Sequence, residues 1–315
     1  MLYLLTVNYD STALIRQLLQ SLASVPSGSM TSDNVPSIEW QCVIVNNSPA
    51  DTAIHTLASP TVEVLEAGTN LGFGGGCNLG LQWVYERDRD AIAWLINPDT
   101  RLEPDSMQNA LQFCQTHPAL SIIGSVIHEP DGNIWFAGGE FVPTTGKIVA
   151  SQTVPKFETD YVSTDWITGC SLMLNLKTFS ICPQFDPAYF LYYEDFDFCR
   201  RYANQGHAIA LTQHISVVHY PSSITGRNPA LKWQHSTYSY LLALERHTSF
   251  RVLVYRLGRI VGHAMRSSLG EPEKAIAIIK GVLSYMVRVS HFDKSNHDQS
   301  GVSARETHRT GNLRD

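Results

Sequence analysis

Three carboxylates fall within four residues of the segment Tyr189–Arg201, YFLYYEDFDFCRR, in the second half of the chain. Glu194 and Asp195 follow an aromatic run, and Asp197 precedes two arginines. A helix that begins near Glu194 would place these carboxylates in its first turn, where free backbone N–H groups and the helix dipole stabilise negative charge. A carboxylate held in this way can act as a general base. The alternative is an acidic helix start whose first turn is simply solvated.

A second chemical candidate is Asp99, which follows Asn97 and Pro98 at the end of the apolar run 92–96. Pro98 ends the strand and presents Asp99 at the edge of the sheet. Such a carboxylate can bind a divalent cation that is otherwise ligated by substrate phosphates, as Mg²⁺ prefers. The alternative is a turn aspartate that caps the next segment.

His219 ends a third chemically interesting segment, the alternating run 207–219. A strand-terminal imidazole can complete a metal shell or donate to a phosphate, although most histidines do neither.

The glycine-rich segment 70–80, NLGFGGGCNLG, precedes a helix predicted over 78–87. Its glycines permit positive φ and close approach of the backbone to a ligand, and the helix start could face a phosphate. The pattern is neither a P-loop nor a clean G-x-G-x-x-G, and it follows the third predicted strand instead of the first. These departures disfavour NAD binding. The alternative is a flexible connector.

The elements that position these residues alternate between strands and helices. Apolar runs predict strands over 2–8, 40–45, 62–65 and 92–96, with helices between them and another over about 104–115. This order implies a parallel sheet covered by helices on both faces, in which ligands collect at the carboxyl ends of the strands. Polar clusters stand at those ends: Asn8 and Tyr9, 46–48, 70–78, and 97–99.

The pattern changes after residue 120, where short antiparallel strands separated by turns are predicted up to about 176. Trp166, ahead of Thr168 and Gly169, is either a stacking platform for a sugar ring or a core residue.

Residues 226–292 carry ten Lys and Arg against three Asp and Glu, although the whole chain has a formal charge of −6. Helices are predicted over about 229–247, 250–268 and 272–290. The second is basic and amphipathic, which is typical of a helix that lies on a membrane surface or against a partner helix. The alternative is a solvated helical face. The polar residues 293–315 are predicted to be disordered.

Composition places the 315-residue chain among globular proteins of one large or two ordinary domains, with 43% hydrophobic residues. No apolar run is long enough to span a membrane, and the N-terminus resembles a buried strand more than a signal peptide. Six scattered cysteines suit free thiols in a cytoplasmic protein. We expect no nucleic-acid partner.

These segments together resemble the inverting glycosyltransferases of family 2, and most nearly their rhamnosyltransferase-like branch, over residues 1 to about 225. The resemblance rests on 7–9, 46–48, 70–78, 97–99, 168–169, 190–197 and His219. It implies an α/β fold of GT-A type, with a mixed, mostly parallel sheet flanked by helices and a helical C-terminal extension. The implied parts are a nucleotide-sugar half (about 1–117), an acceptor half (about 118–225), the extension 226–292 and the tail 293–315.

The resemblance also assigns roles to residues. Asp195 would be the catalytic base with Glu194 beside it, and Asp99 and His219 would hold Mg²⁺ or Mn²⁺ on the donor diphosphate. The nucleotide sugar would contact Val7, Asn8, Tyr9, Asn46, Asn70, Gly72, Phe73, Gly74, Asn78 and Asn97, with the loop 70–78 closing over it. The acceptor would contact Trp166, Thr168, Gly169 and Tyr193.

Two positions depart from the family pattern. Val45 stands where a base-contacting aspartate is expected, which weakens the case for a UDP donor, and Asn97 replaces the first acid of Asp-x-Asp.

The predicted function is therefore transfer of a sugar, with rhamnose from dTDP-rhamnose as the preferred donor, to a saccharide or lipid-linked acceptor in bacterial surface polysaccharide synthesis. A cytoplasmic enzyme at the inner face of the membrane is expected, and the sequence leaves open whether it forms a homo-oligomer. The alternatives are transfer of a UDP-hexose or galactofuranose, and a catalytically silent nucleotide-sugar-binding subunit. A nucleotidyltransferase is disfavoured because 68–80 lacks a basic phosphate clamp.

Overall fold

The computed structural model of the chain describes residues 1–22, 38–221 and 228–306. Twelve strands lie within these ranges: β1 (Leu2–Asn8), β2 (Trp40–Asn46), β3 (Val62–Glu66), β4 (Ile92–Ile96), β5 (Thr100–Leu102), β6 (Leu120–His128), β7 (Ile134–Phe136), β8 (Gly139–Val142), β9 (Lys147–Ala150), β10 (Tyr161–Ser163), β11 (Ser171–Asn175) and β12 (Ala208–His219). The α-helices there are α1 (Thr12–Leu22), α2 (Gly72–Arg87), α3 (Ser106–Thr116), α4 (Glu194–Asn204), α5 (Pro229–His247), α6 (Phe250–Ser267) and α7 (Pro272–Glu306).

Ten of the strands form one mixed sheet whose main path runs β10-β12-β6-β11-β4-β1-β2-β3. β1 pairs in parallel with both β2 and β4, and β2 with β3. β11 is antiparallel to both β4 and β6, and β6 is parallel to β12. The remaining two strands, β8 and β9, form a separate hairpin. The predicted mixed, mostly parallel sheet is therefore confirmed.

The central strands are apolar because helices cover the sheet. All seven residues of β1 and all five of β4 are buried, which explains why these strands appear in the sequence as continuous apolar runs instead of alternating ones. The largest fully buried side chain, Trp94 in β4, donates from Nε1 to Ser171 Oγ in β11 at 3.0 Å. This bond ties the parallel half of the sheet to its antiparallel insertion.

Helix α2 begins at Gly72, six residues before the predicted start, so the prediction of a loop over 70–78 is wrong for its glycine run. Glycine is a poor helix former, but here the helix needs the missing side chains. A Cβ on Gly76 would lie 2.8 Å from Val7 Cγ1, and one on Gly80 would lie 2.4 Å from Leu5 Cδ1. The glycines let α2 lie directly on β1.

The three predicted C-terminal helices are present. α5 begins where its sequence indicates: Asn228 Oδ1 accepts the Leu231 N–H at 3.1 Å, and Pro229 occupies the first turn. Leu242 and Ala243 of α5 join the main core, while residues of α5, α6 and α7 form a small core of their own. None of the helices in the described part of the chain has the length and apolar content that a bilayer crossing requires.

Helix α7 continues to Glu306 and so enters the segment 293–315, for which disorder stays a prediction. Extending an existing helix adds a backbone hydrogen bond per residue without a new nucleation step, and this offsets the polar composition. Residues 307–315, and the domain boundary predicted at 225, lie outside the described residues.

Candidate active site

Several strand ends meet at one edge of the sheet. β1, β2, β4, β6 and β12 all end there, because β6 is parallel to β12 and both are linked to β4 through the antiparallel strand β11. For the same reason β11 begins at this edge. The polar segments that follow or precede these strands are therefore brought together, as expected for a parallel sheet.

Asp99 and His219 are brought side by side by an antiparallel pairing. Thr100 of β5 pairs with His219 of β12, and the Tyr220 amide donates to the Asp99 carbonyl at 2.9 Å. Both side chains are buried, and Asp99 Oδ1 lies 3.3 Å from His219 Nε2. The two atoms are not aligned as a hydrogen bond, and no described residue satisfies Asp99 Oδ1 or His219 Nδ1.

This pair fits the donor set of a divalent cation. Two cis ligands on one octahedral Mg²⁺ lie about 3 Å apart, given metal–oxygen distances of about 2.1 Å. A buried carboxylate oxygen without a hydrogen-bond donor is costly unless a cation or water satisfies it. Within the described residues, no group of three or more His, Cys, Asp and Glu side chains is placed to hold a metal. The remaining ligands would therefore come from the substrate and water.

The segment from Thr168 to Cys170 links Asp99 to the acidic helix. The Asn97 amide donates to the Cys170 carbonyl at 3.0 Å, while the Gly169 amide donates to Asp195 Oδ2 at 2.9 Å. Burial, together with the charges of Asp99 and Asp195, raises the pKa of the Cys170 thiol well above its usual range. Cys170 therefore lies within electrostatic reach of both carboxylates.

Helix α4 begins at Glu194, as its sequence predicts, and its entry is strained. Tyr192 and Tyr193 have φ of 70° and 62°, a region that bulky residues rarely occupy. Such strain is maintained only where the surroundings enforce it, and it concentrates at functional sites. Here the two residues lead the chain into α4, where Glu194 is buried and Asp195 is partly buried.

The adjacent carboxylates differ in their partners. Asp195 Oδ2 accepts the Gly169 amide, Oδ1 accepts the Phe196 amide at 2.8 Å, and Thr168 adds a side-chain hydrogen bond. Burial nevertheless raises the pKa of Asp195. Burial and the neighbouring Asp195 charge raise the pKa of Glu194 well above its usual range, and no described residue bonds its Oε2. Asp195 therefore carries the negative charge of the pair, and Glu194 takes up the proton first.

At the ends of β1 and β2, the side chains of Asn8 and Asn46 are almost completely buried and bind other protein groups. Asn8 Nδ2 donates to Asn46 Oδ1 at 3.0 Å and to Asp51 Oδ2 at 3.1 Å, and Asn46 donates to Glu66. Both side chains thus position the strand ends and do not reach out to a ligand. Of the neighbouring positions, Val7 is buried against α2, whereas Tyr9 is 45% exposed.

The start of α2 is similarly held by protein groups. Asn47 accepts the Leu71 amide, Asn70 accepts the Gly72 amide, and Phe190 O accepts the Phe73 amide. These three amides are therefore already used, which argues against a phosphate at this helix start.

The other α2 residues that were predicted to contact the nucleotide sugar are of two kinds. Some hold neighbouring protein segments in place, and others lie beside the acidic start of α4. Asn78 exchanges two hydrogen bonds with the backbone of Phe185, so its side chain fixes the neighbouring segment. Gly74 lies against Phe185 and Glu194, and the Phe73 ring lies against Gly169. Phe73 is partly exposed and lies beside the residue that holds Asp195.

The residues that were predicted to contact the acceptor are also of two kinds. Some pack against other protein side chains, and others bond Asp195. Trp166 is 9% exposed and packs on Phe136 and Phe196, so it is a core residue and not an open stacking platform. The Tyr193 ring packs on Tyr240 of α5, 5.4 Å between centroids, and thus faces the helical extension. Thr168 and Gly169 are at the site because both bond Asp195.

Trp135 is a site residue that the sequence did not reveal. Its ring packs edge-on against His219, with 4.2 Å between the ring centroids, and it is only partly buried. It lies in β7, whose pairing with β6 carries it to the same edge of the sheet. Only this tertiary pairing marks it, because its sequence surroundings are those of an ordinary short strand.

The chain belongs to glycosyl transferase family 2, whose profile matches residues 4–174. It is 26% identical over 214 residues to the N-acetylglucosaminyl-diphospho-decaprenol L-rhamnosyltransferase of Mycobacterium tuberculosis, an alignment that covers 61% of this chain and 69% of the relative. The predicted family and its rhamnosyltransferase-like relatives are thus confirmed, and with them the expectation of a transferase.

Solved structures agree on the fold. The S. aureus TarS fragment 1–349 in complex with UDP-GlcNAc superposes with a TM-score of 0.55 at 14% identity, covering 90% of this chain and 80% of that one. GalNAc-T7 with UDP, GalNAc and Mn²⁺ gives 0.54 at 12% identity and covers 76% of this chain, which spans 47% of that longer protein. The fold is therefore of GT-A type, as the resemblance implied.

Proposed function

We propose that the chain is an inverting glycosyltransferase that moves a sugar from a nucleoside-diphosphate donor to a saccharide or lipid-linked acceptor. Asp195 is the proposed base, and Asp99 and His219 are the proposed holders of a divalent cation. The observation that carries this proposal is the Thr168–Cys170 segment. It bonds Asp195 on one side and the Asn97 backbone on the other, and so ties the two groups that a displacement needs to one edge of the sheet.

In the proposed reaction, the acceptor hydroxyl oxygen attacks the anomeric carbon as the bond from that carbon to the diphosphate breaks. The hydroxyl proton passes to Asp195, whose raised pKa makes it a stronger base than an ordinary aspartate. General-base catalysis of this kind contributes roughly 10²–10⁴-fold. The Gly169 and Phe196 amides hold both oxygens of Asp195, which fixes its orientation toward the acceptor.

On the donor side, Asp99 and His219 would hold Mg²⁺ or Mn²⁺ against the diphosphate. A cation there acts as a Lewis acid that stabilises the leaving group. The presence of Mn²⁺ in the complex of GalNAc-T7, a protein of the same fold type, supports this assignment without deciding between the two metals.

The preferred donor is dTDP-rhamnose, and the preferred acceptor is a lipid-linked saccharide of the cell envelope. The similarity to a rhamnosyltransferase that is named for a diphospho-decaprenol acceptor supports rhamnose as the sugar and a lipid-linked acceptor. Val45 is completely buried in β2, so this position offers no carboxylate to a uracil base. This feature favours a donor other than UDP-sugar.

The test is release of nucleoside diphosphate from a panel of nucleotide sugars, with Mg²⁺, Mn²⁺ or EDTA and with lipid-linked and free saccharide acceptors. We expect metal-dependent, acceptor-dependent release from dTDP-rhamnose. Turnover of a UDP-hexose instead would show that the proposed donor is wrong, while the proposal that the protein is a glycosyltransferase would stand. Donor binding without turnover under every condition would favour a silent nucleotide-sugar-binding subunit and overturn the proposal.

A further inference from the structure

The outward side of α6 combines exposed apolar and basic side chains. Phe250, Tyr255 and Met265 are 77%, 60% and 70% exposed. Arg251, Arg259 and Arg266 are also exposed and project on the same half of the helix, since residues spaced by four and by seven share a face. We call these six residues the α6 outer face. Leu269, just beyond the helix and 95% exposed, extends it.

The arginines of this face differ from the other described arginines of the extension. Arg246, Arg256 and Arg288 are bonded to Asp186, Thr145 and Glu245. In contrast, no ion pair involves Arg251, Arg259 or Arg266 within the part of the chain that the structure describes. Helix α6 contains no Asp or Glu at all. Its charge is therefore available to an external anion.

We propose that the α6 outer face binds the surface of an anionic lipid bilayer. A helix that lies in a membrane interface buries aromatic and apolar side chains at the acyl boundary and directs Lys and Arg to the headgroups. The mixture on α6, with large exposed hydrophobic residues between arginines that form no ion pair with a described residue, has this chemistry. The proposal stands apart from the transfer reaction, because it concerns where the protein binds and not what it transfers.

Charge argues against a second copy of the chain as the occupant. A two-fold interface places the same patch on both partners, so six arginines would meet with no acidic residue from α6 to neutralise them. An anionic surface instead complements all three arginines of one chain.

The experiment is sedimentation of the full-length protein with vesicles of phosphatidylcholine alone or with 40% phosphatidylglycerol, at 50 and 500 mM NaCl. We expect binding to the anionic vesicles only, and weaker binding at high salt. The variants R251E/R259E/R266E and F250S/Y255S/M265S should each lower the partition coefficient. For the charge variant the loss should be on the order of 100-fold, from about fivefold per basic residue. The control R89E/K156E/K177E changes the net charge equally at exposed positions on the body.

Wild-type protein that stays in the supernatant with anionic vesicles at 50 mM NaCl would overturn the proposal. So would a control variant that loses as much binding as the α6 variants, because net charge and not this face would then be responsible. Light scattering after gel filtration tests whether a second copy of the chain occupies the α6 outer face instead. A wild-type dimer that becomes monomeric in F250S/Y255S/M265S, with vesicle binding unchanged, would assign the face to self-association. Unchanged circular dichroism and melting temperature of the variants exclude misfolding as the cause.

Discussion

The backbone amide of Asn97 donates to the carbonyl of Cys170 at 3.0 Å, and this bond joins the turn that ends β4 to the segment that begins β11. Gly169, the residue before Cys170, holds Asp195. The proposed cation holder and the proposed base are thus connected through a few backbone bonds of rigid strand ends. A reaction that must separate a leaving group from an acceptor across one sugar ring needs such a fixed separation.

Replacing Asp195 with Asn should lower turnover by roughly 10²–10⁴-fold, because the amide keeps the shape but cannot take a proton. Donor affinity should change little, since the described contacts of Asp195 are to Gly169, Phe196 and Thr168. Steady-state kinetics and calorimetric titration with the donor measure the two quantities. Asp90→Asn, at an exposed position, is the matched control. A loss of donor affinity equal to the loss of rate would contradict the role of base.

Asp99→Asn and His219→Ala should each weaken donor binding in the presence of Mn²⁺ and leave the weak metal-free binding unchanged. The reason is that each removes one of the two protein ligands proposed for the cation. The readout is the ratio of donor dissociation constants with Mn²⁺ and with EDTA. His128→Ala serves as the control, because His128 ends the neighbouring strand β6 opposite Val218. If the metal dependence survives in both variants, the cation binds elsewhere.

Glu194→Gln should stabilise the protein at neutral pH. The raised pKa of Glu194 means that the folded state favours the protonated form, so its ionisation destabilises the fold as pH rises above the unfolded value of about 4.3. The stabilising effect of the substitution should therefore be small at pH 4, increase with pH, and level off above the folded pKa. Urea unfolding from pH 4 to 8 measures it. A difference of about 1–3 kcal/mol at pH 8 is expected, because Glu194 Oε2 is buried without a hydrogen-bond partner among the described residues.

If the stability difference between wild type and Glu194→Gln does not change with pH, then Glu194 titrates normally in the folded protein. The same variant has a second use, because its turnover tells whether the proton on Glu194 matters to the reaction. An active, more stable variant would restrict Glu194 to shaping the charge of Asp195.

The sequence predicted the elements better than the contacts between them. Continuous apolar runs identified β1 and β4 because both faces of these strands are covered, and Asn228-Pro229 identified the start of α5. The glycine run at the start of α2 was wrongly predicted to be a loop. Its low helix propensity is overridden because α2 packs on Val7 and Leu5, which lie far away in sequence. Propensity is local, whereas close packing of a helix on a strand is not.

For the candidate site, too, features set by a local segment could be predicted from the sequence, whereas contacts between distant segments could not. Glu194 and Asp195 could be recognised from their own segment, since acids at a helix start have a local physical reason. The pairing of Asp99 with His219 was expected only from the resemblance, because it depends on β5 crossing to β12. Trp135 and Cys170 had no such signal, and the alternatives for Trp166 could not be separated before its neighbours Phe136 and Phe196 were known.

Gly76→Ala should destabilise the protein by about 1–3 kcal/mol, the usual effect of overpacking. An added Cβ would meet both Cγ atoms of Val7, at 2.8 and 3.1 Å, and β-branched Val7 has little freedom to move away. Gly258→Ala in α6 is the matched control. Its Cβ would meet nothing within 4 Å, so helix propensity predicts an effect between neutral and about 1 kcal/mol of stabilisation. Thermal or urea unfolding compares the two. Equal effects would mean that α2 does not lie as closely on β1 as described.

Asp197 should prove to be a structural residue in spite of its place beside the proposed base. Its side chain has 0% exposure and accepts hydrogen bonds from Arg201 Nε at 2.7 Å and His247 Nε2 at 2.9 Å, the latter from the end of α5. Burial raises the pKa of Asp197, but these hydrogen bonds more than offset it, so its pKa is lowered overall. A lowered carboxylate pKa stabilises the fold above the unfolded value of about 3.9, and this contribution is lost as pH falls through the folded value.

Asp197→Asn should therefore cost about 3 kcal/mol at pH 7, the lower end for breaking a buried ion pair, because Arg201 is partly exposed. The difference from wild type should shrink below about pH 4, since protonation then removes the same charge from the wild type. Urea unfolding at pH 7 and at pH 3.5 measures this, with Asp90→Asn as the control. A constant difference at the two pH values would mean that the Asp197 charge is not what stabilises this contact. Because Asp197 shares the first turn of α4 with Asp195 and bonds α5, its loss should also lower turnover by misplacing the base, without changing the pH profile of the activity that remains.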